Sequence, residues 1–152
     1  MGNGINNVMD SAVKFGAGRY RQGRGVLEHC GQEIRRFGKK AYIVSGPRAF
    51  DAVKDRLLPG LTEAGVEFVA EIYDGVCSYE AADALGKKCL DAGCDEVVGI
   101  GGGVIMDLSK AVAGKAGVGV INIPTSIATC AAFTAMSVMY TPQGAMKDNW
   151  RY

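Results

Sequence analysis

Residues 99–110, GIGGGVIMDLSK, concentrate the chemistry of this chain. Gly101, Gly102 and Gly103 follow an apolar run and open a segment of helical spacing. Without Cβ atoms the backbone can approach a ligand closely. A helix beginning there offers unpaired N–H groups and the positive end of its dipole. That combination suits a phosphate or pyrophosphate; a tight turn packing helix on strand is the plainer use of the same glycines. The spacing is not the dinucleotide fingerprint, since Val104 stands where G-x-G-x-x-G has its third glycine, and no Gly-Lys-Ser/Thr follows to make a P-loop.

Asp107 and Lys110 lie three residues apart on the same helix. That spacing predicts a surface ion pair worth about a few tenths of a kcal/mol. In a binding role, Asp107 would orient the glycine loop or meet a ribose or amide group. Residues 124–140, PTSIATCAAFTAMSVMY, add hydroxyls among small side chains at Thr125, Ser126, Thr129, Thr134 and Ser137. The lone histidine, His29, is predicted on a helix beside core positions and reads as structural, with no triad or metal partner in view.

Alternating strand and helix periods must position these groups. Residues 26–37 place Leu27, Cys30, Ile34 and Phe37 on one helical face, ended by Gly38. Ala41–Ser45 is a short buried strand, and Gly46-Pro47 opens a helix with Phe50, Val53 and Leu57 inward. Pro59-Gly60 is expected to interrupt that helix. Val66–Tyr73 is a second strand; Ser78 caps a helix to Ala92 with Ala81, Leu85 and Cys89 inward. Val97–Ile100 and Val118–Ile123 are further strands, flanking a helix over 104–115. Such alternation predicts an α/β fold, an open parallel sheet with helices on both faces. Met136–Tyr140 and Ala145–Tyr152, around Pro142-Gln143-Gly144, form a β-hairpin expected at the sheet's margin. Ligands of open α/β sheets lie beyond the carboxyl ends of the strands. Ser45–Arg48, Gly99–Asp107 and Pro124–Cys130 should converge there.

Composition narrows the function classes. The chain has 152 residues, a length typical of one domain, and 17 Lys plus Arg balance 16 Asp plus Glu. A net charge of +1 gives no field for nucleic acid, and Arg35, Arg36, Lys39 and Lys40 fit a helix C-terminus instead. No segment approaches the length of a membrane span, and the first residues lack an apolar signal core and a myristoylation pattern. Five cysteines without a C-x-x-C argue against a disulfide framework or a zinc ribbon, and predict reduced thiols in the cytoplasm.

Together FGAGRYRQGRGVL, GIGGGVIMDLSKAVA and IPTSIATCAAFTAMSVMYTPQG resemble the iron-containing alcohol dehydrogenase and glycerol dehydrogenase family, over roughly residues 14–146. ATCAA followed by Thr134 and SVMY, with Gly46-x-Arg48-Ala49, is most similar to the hydroxycarboxylate dehydrogenase-like branch. The resemblance implies a Rossmann-like, dehydroquinate synthase-like dinucleotide-binding domain over 1–152 that takes NAD(P)(H). It places Gly102, Gly103, Val104, Ile105 and Asp107 at the pyrophosphate and nicotinamide side. Thr125, Ser126, Thr134, Met136 and Tyr140 would line the rest of the groove.

Three departures qualify what is implied. Gly46 stands where many relatives have an aspartate gripping the adenosine ribose. Its lost charge, with Arg48 nearby, would tolerate NADPH, unless Arg48 is merely solvated. Cys130 stands where glycerol dehydrogenases carry an aspartate that contacts substrate. Two unit charges about 4 Å apart repel by about 4 kcal/mol at an effective dielectric near 20, so losing that carboxylate favours a 2-oxo or 2-hydroxy acid. Finally, the family's helical second domain, with its Zn or Fe ligands, is absent from these residues. The chain alone is therefore expected not to turn over, and an uncovered apolar face near Trp150 would promote self-association. The readings left open are a catalytically silent nucleotide-binding remnant, a glycerol dehydrogenase proper, and the lyase chemistry of dehydroquinate synthases.

Overall fold

The computed structural model describes residues 16–151. Phe15 of the first motif and Tyr152 of the predicted last strand lie outside them. Four parallel strands, β1 (Lys40–Ser45), β2 (Glu67–Ile72), β3 (Glu96–Gly101) and β4 (Gly119–Pro124), form a sheet in the order β2-β1-β3-β4. The two central strands are apolar runs buried on both faces, as a parallel sheet requires. Their side chains alternate between two cores. Tyr42, Val44 and Val97 face α3 (Tyr79–Asp91) and α4 (Gly103–Ala116); Ile43, Val98 and Ile100 face α1 (Cys30–Arg35) and α2 (Pro47–Glu63). Helices on both faces follow.

Ser78 caps α3 as expected, its Oγ accepting from Ala81 N–H over 3.1 Å. Ala82 is the fully buried alanine of that helix, and Ala81 is only partly covered. Three expectations need correction. The helix predicted from residue 26 begins only at Cys30, preceded by turns, and Phe37 points outward at 54% exposure. Pro59 does not interrupt α2; it sits on the solvent face, where the carbonyl it leaves unbonded can meet water. The hairpin, β5 (Met136–Tyr140) with β6 (Met146–Arg151), is antiparallel as predicted but forms its own two-stranded sheet, with β5 packed against α4 rather than at the main sheet's margin.

α4 is therefore enclosed by the sheet, α3 and β5, and residues 105–113 are buried without interruption. Its seat on β3 is close. A Cβ at Gly99 would come within 2.4 Å of Ser109 Oγ and 2.8 Å of Asn122 Oδ1. A similar approach joins α1 to α2, where a Cβ at Gly31 would meet Gly60 O at 2.0 Å.

Candidate functional site

The strand order reverses direction between β1 and β3: the chain runs outward to β2, then returns to the other side for β3 and β4. Ligands of open α/β sheets bind at such a switch point, beyond the carboxyl ends of the strands. A crevice of about 410 Å³ opens there. Gly46, Pro47, Arg48 and Ala49 line it after β1, and Tyr73, Asp74 and Gly75 after β2. Gly101 ends β3, Gly102, Val104 and Ile105 follow it, and Thr125 follows β4.

The glycines divide their roles. A Cβ at Gly101 would press on Ile105 at 2.9 Å, so this glycine serves the turn into α4. Gly102, the N-cap, has φ −94° and ψ −166°, an extended conformation open to any residue, and a Cβ there would meet nothing within 4 Å. It faces open space. No side chain caps α4, and its first backbone bond runs from Met106 N–H to Gly102 O. The N–H groups of Gly103, Val104 and Ile105 therefore lack intrahelical acceptors. Thr125 N–H donates to Gly101 O over 2.9 Å and joins the two loops. An open cradle in front of uncapped N–H groups fits the pyrophosphate of a dinucleotide. Arg48, exposed on the β1 side, has no hydrogen bond or ion pair among the described residues.

Asp107 and Lys110 are not a surface pair. They are 8% and 5% exposed and joined over 2.9 Å. The spacing cannot reveal depth; the covering segment 131–138 creates it. Lys110 Nζ donates to Ala131 O at 2.7 Å, Thr134 O at 3.1 Å and Met136 O. Asp107 Oδ2 accepts from Val138 N–H at 3.1 Å, and Ser137 Oγ donates to Asp107 O at 2.7 Å. This buried knot fastens the 131–138 segment to α4.

Thr134 and Met136 thus act through their carbonyls toward Lys110, and Tyr140 N–H donates to Cys77 O over 2.7 Å. These residues, with Asp107, Gly103, Ser126 and Cys130, lie outside the crevice lining. Ser126 and Cys130 are exposed on the loop from 124 to 130. That loop leans back toward the helix start at Thr129, 3.5 Å from where a Gly103 Cβ would stand.

His29, expected on a helix beside core positions, is exposed at the N-cap of α1 and borders a shallow depression with Arg21, Val26, Gln32 and Glu33. All five cysteines are free, three of them buried. Burial pushes Cys77 up to about 12, with Asp107 adding to the rise, and Cys30 and Cys89 to about 11, so these thiols stay protonated at neutral pH. Among the described residues no group of three or more His, Cys, Asp or Glu is placed to hold a metal ion. Nor is any helix long and apolar enough to cross a membrane.

The Tyr73-Asp74-Gly75 wall escaped sequence reading. The rule that ligands lie beyond strand ends reaches it, but no glycine run or hydroxyl cluster draws attention there.

A family model for iron-containing alcohol dehydrogenases matches residues 17–151. A glycerol dehydrogenase of Thermotoga maritima is 36% identical over 86% of this chain and 35% of its own length. Hydroxycarboxylate dehydrogenase A of Escherichia coli K12 is 34% identical over 69% of this chain and 28% of its own. The crystal structure of a glycerol dehydrogenase from Schizosaccharomyces pombe superposes with a TM-score of 0.82 at 24% identity, covering 93% of this chain and 36% of that one. The chain spans only about a third of the length of the curated relatives it matches, 35% of the Thermotoga maritima protein and 28% of the Escherichia coli one.

Proposed function

Since the chain belongs to the iron-containing alcohol dehydrogenase family, we propose that it is the dinucleotide-binding part of an NAD(P)-dependent dehydrogenase acting on a 2-hydroxy or 2-oxo acid. The observation that carries this reading is Gly102, open in front of the uncapped start of α4 at the sheet's switch point. When bound, the nicotinamide supplies or accepts the hydride. The chain's own part is to seat the pyrophosphate on the Gly103, Val104 and Ile105 N–H groups and to hold the ring toward the loop from 124 to 130. The described residues do not supply a Zn or Fe ligand set, so no step is assigned to a metal here. The unpaired cysteines support a reducing, cytoplasmic setting.

On the β1 side, Gly46 brings no carboxylate and Arg48 is free to meet a 2′-phosphate. Calorimetric titration of the folded chain with NADPH and with NADH tests both points. Binding of either supports the dinucleotide reading, and Arg48→Ala should weaken NADPH about tenfold or more while sparing NADH. Unchanged NADPH affinity in that variant would remove Arg48 from the site. Cys130, exposed one residue after the Thr129 that leans toward Gly103, supports the acid substrate by the charge it does not carry. In a catalytically complete protein, Cys130→Asp should move preference from hydroxy acids toward diols; an unmoved preference rules this out.

A further inference from the structure

β2 ends at Ile72, and the next three residues build a crevice wall that the glycine loop does not explain. Tyr73 N–H donates to Ser45 O over 2.8 Å and ties this turn to the end of β1. The Tyr73 hydroxyl donates to Val76 O at 2.8 Å, and the side chain packs on the core below. Gly75 is required by that arrangement, because a Cβ there would come within 2.5 Å of the Tyr73 hydroxyl oxygen. Between the two, Asp74 is exposed on the wall and has no hydrogen bond or ion pair among the described residues. The turn is locked and its one charged side chain is unused.

Sheet order decides what this wall meets. Neighbouring strands are about 4.8 Å apart, so the end of β2 stands about 10 Å from the glycine loop on β3, with β1 between them. A dinucleotide with its pyrophosphate at Gly102 and its nicotinamide toward residue 130 sends its adenosine the other way. The ribose then lies at β1 beside Gly46 and Arg48, and the base reaches β2. Adenine presents an exocyclic amine, and a carboxylate is an acceptor for it. Resting on the dinucleotide reading above, we infer that the Tyr73-Asp74-Gly75 turn reads the base. Asp74 accepts a hydrogen bond from the adenine 6-amino group, and Tyr73 is the positioning residue that fixes the turn.

The test compares NADH with nicotinamide hypoxanthine dinucleotide, in which a carbonyl oxygen replaces the amine, by titration of the full chain. The hypoxanthine form should bind about tenfold more weakly, because acceptor then faces acceptor. In Asp74→Ala the adenine form should weaken toward the hypoxanthine level, so that the two affinities converge. Tyr73→Phe, which keeps the ring and loses the bond to Val76, should reduce the discrimination in part; full retention would overturn the role given to Tyr73. Equal binding of both dinucleotides by the wild type, with an equal loss for both in Asp74→Ala, would assign Asp74 to the ribose hydroxyls and overturn base reading. Binding without base discrimination thus sinks this inference alone. Failure of the folded chain to bind either dinucleotide sinks the dinucleotide reading and this inference with it.

Discussion

Glu96 is the residue whose environment departs furthest from its type. It begins β3 on the α1 side, is fully buried, and neither carboxyl oxygen has a hydrogen-bond partner among the described residues. Burial raises it from 4.5 to about 7, with the neighbouring Asp95 adding to the rise and Arg35 opposing it. A folded carboxyl that holds its proton more tightly than the unfolded one costs stability as pH rises. The loss runs from about 4.5 to about 7 and is complete above that. Glu96→Gln should therefore be more stable than the wild type at pH 8, by about 1–3 kcal/mol, and lose the advantage near pH 4. Urea unfolding at both pH values checks this, and a pH-independent difference would show that packing, not ionisation, is responsible.

At the scale of elements, the strongest dependence is that of the 131–138 segment on α4. Lys110→Met leaves Asp107 buried without its cation, and breaking such a pair typically costs about 3–5 kcal/mol. The unfolding midpoint should fall accordingly, and Asp107→Asn added to it should recover part of the loss. A recovery of nothing would mean that the carbonyl bonds of Lys110, not the ion pair, hold the segment. The legibility of the elements follows the same division between local and distant causes. β1 and β3 are readable because their middles, Ala41–Val44 and Val97–Ile100, are apolar runs that suit burial on both faces, and the α3 cap because Ser78 needs only Ala81. Pro59 misleads because the cost of a helical proline depends on which way the freed carbonyl points. The depth of Asp107 and Lys110 is set by a segment more than twenty residues away. Asp74 acquires its place only when the sheet order is known, since β2 meets β1 and not β3.

For the whole molecule, the question is what its apolar surface meets. Trp150, near which an apolar face is expected, is itself half-buried, 6.2 Å from the Tyr79 ring, with Lys115 Nζ 5.6 Å away. Exposed large apolar side chains are spread over the surface, among them Val104 at the crevice, Ile127 on the loop from 124 to 130, Met146 on β6 and Val120 on the edge strand β4. β4 carries no charged side chain to discourage pairing with another strand. We propose self-association through the open edge of β4. Sedimentation velocity over a concentration series should show a dimer or larger species that Val120→Lys reduces; a monomer throughout would rule it out.

The absence of clearance at Gly99 has a mechanical consequence. With Ser109 and Asn122 where a methyl group would have to fit, α4 cannot slide along β3 without separating from it. The strand end, the glycine loop and the first turn of the helix are then one stiff anvil. Any accommodation of a ligand's shape falls to the exposed loop from 124 to 130, hinged at Thr125 by a single backbone bond to Gly101. On the dinucleotide reading proposed above, the glycine loop is the fixed part of the site, and the exposed loop that carries Cys130 is the part left to adjust.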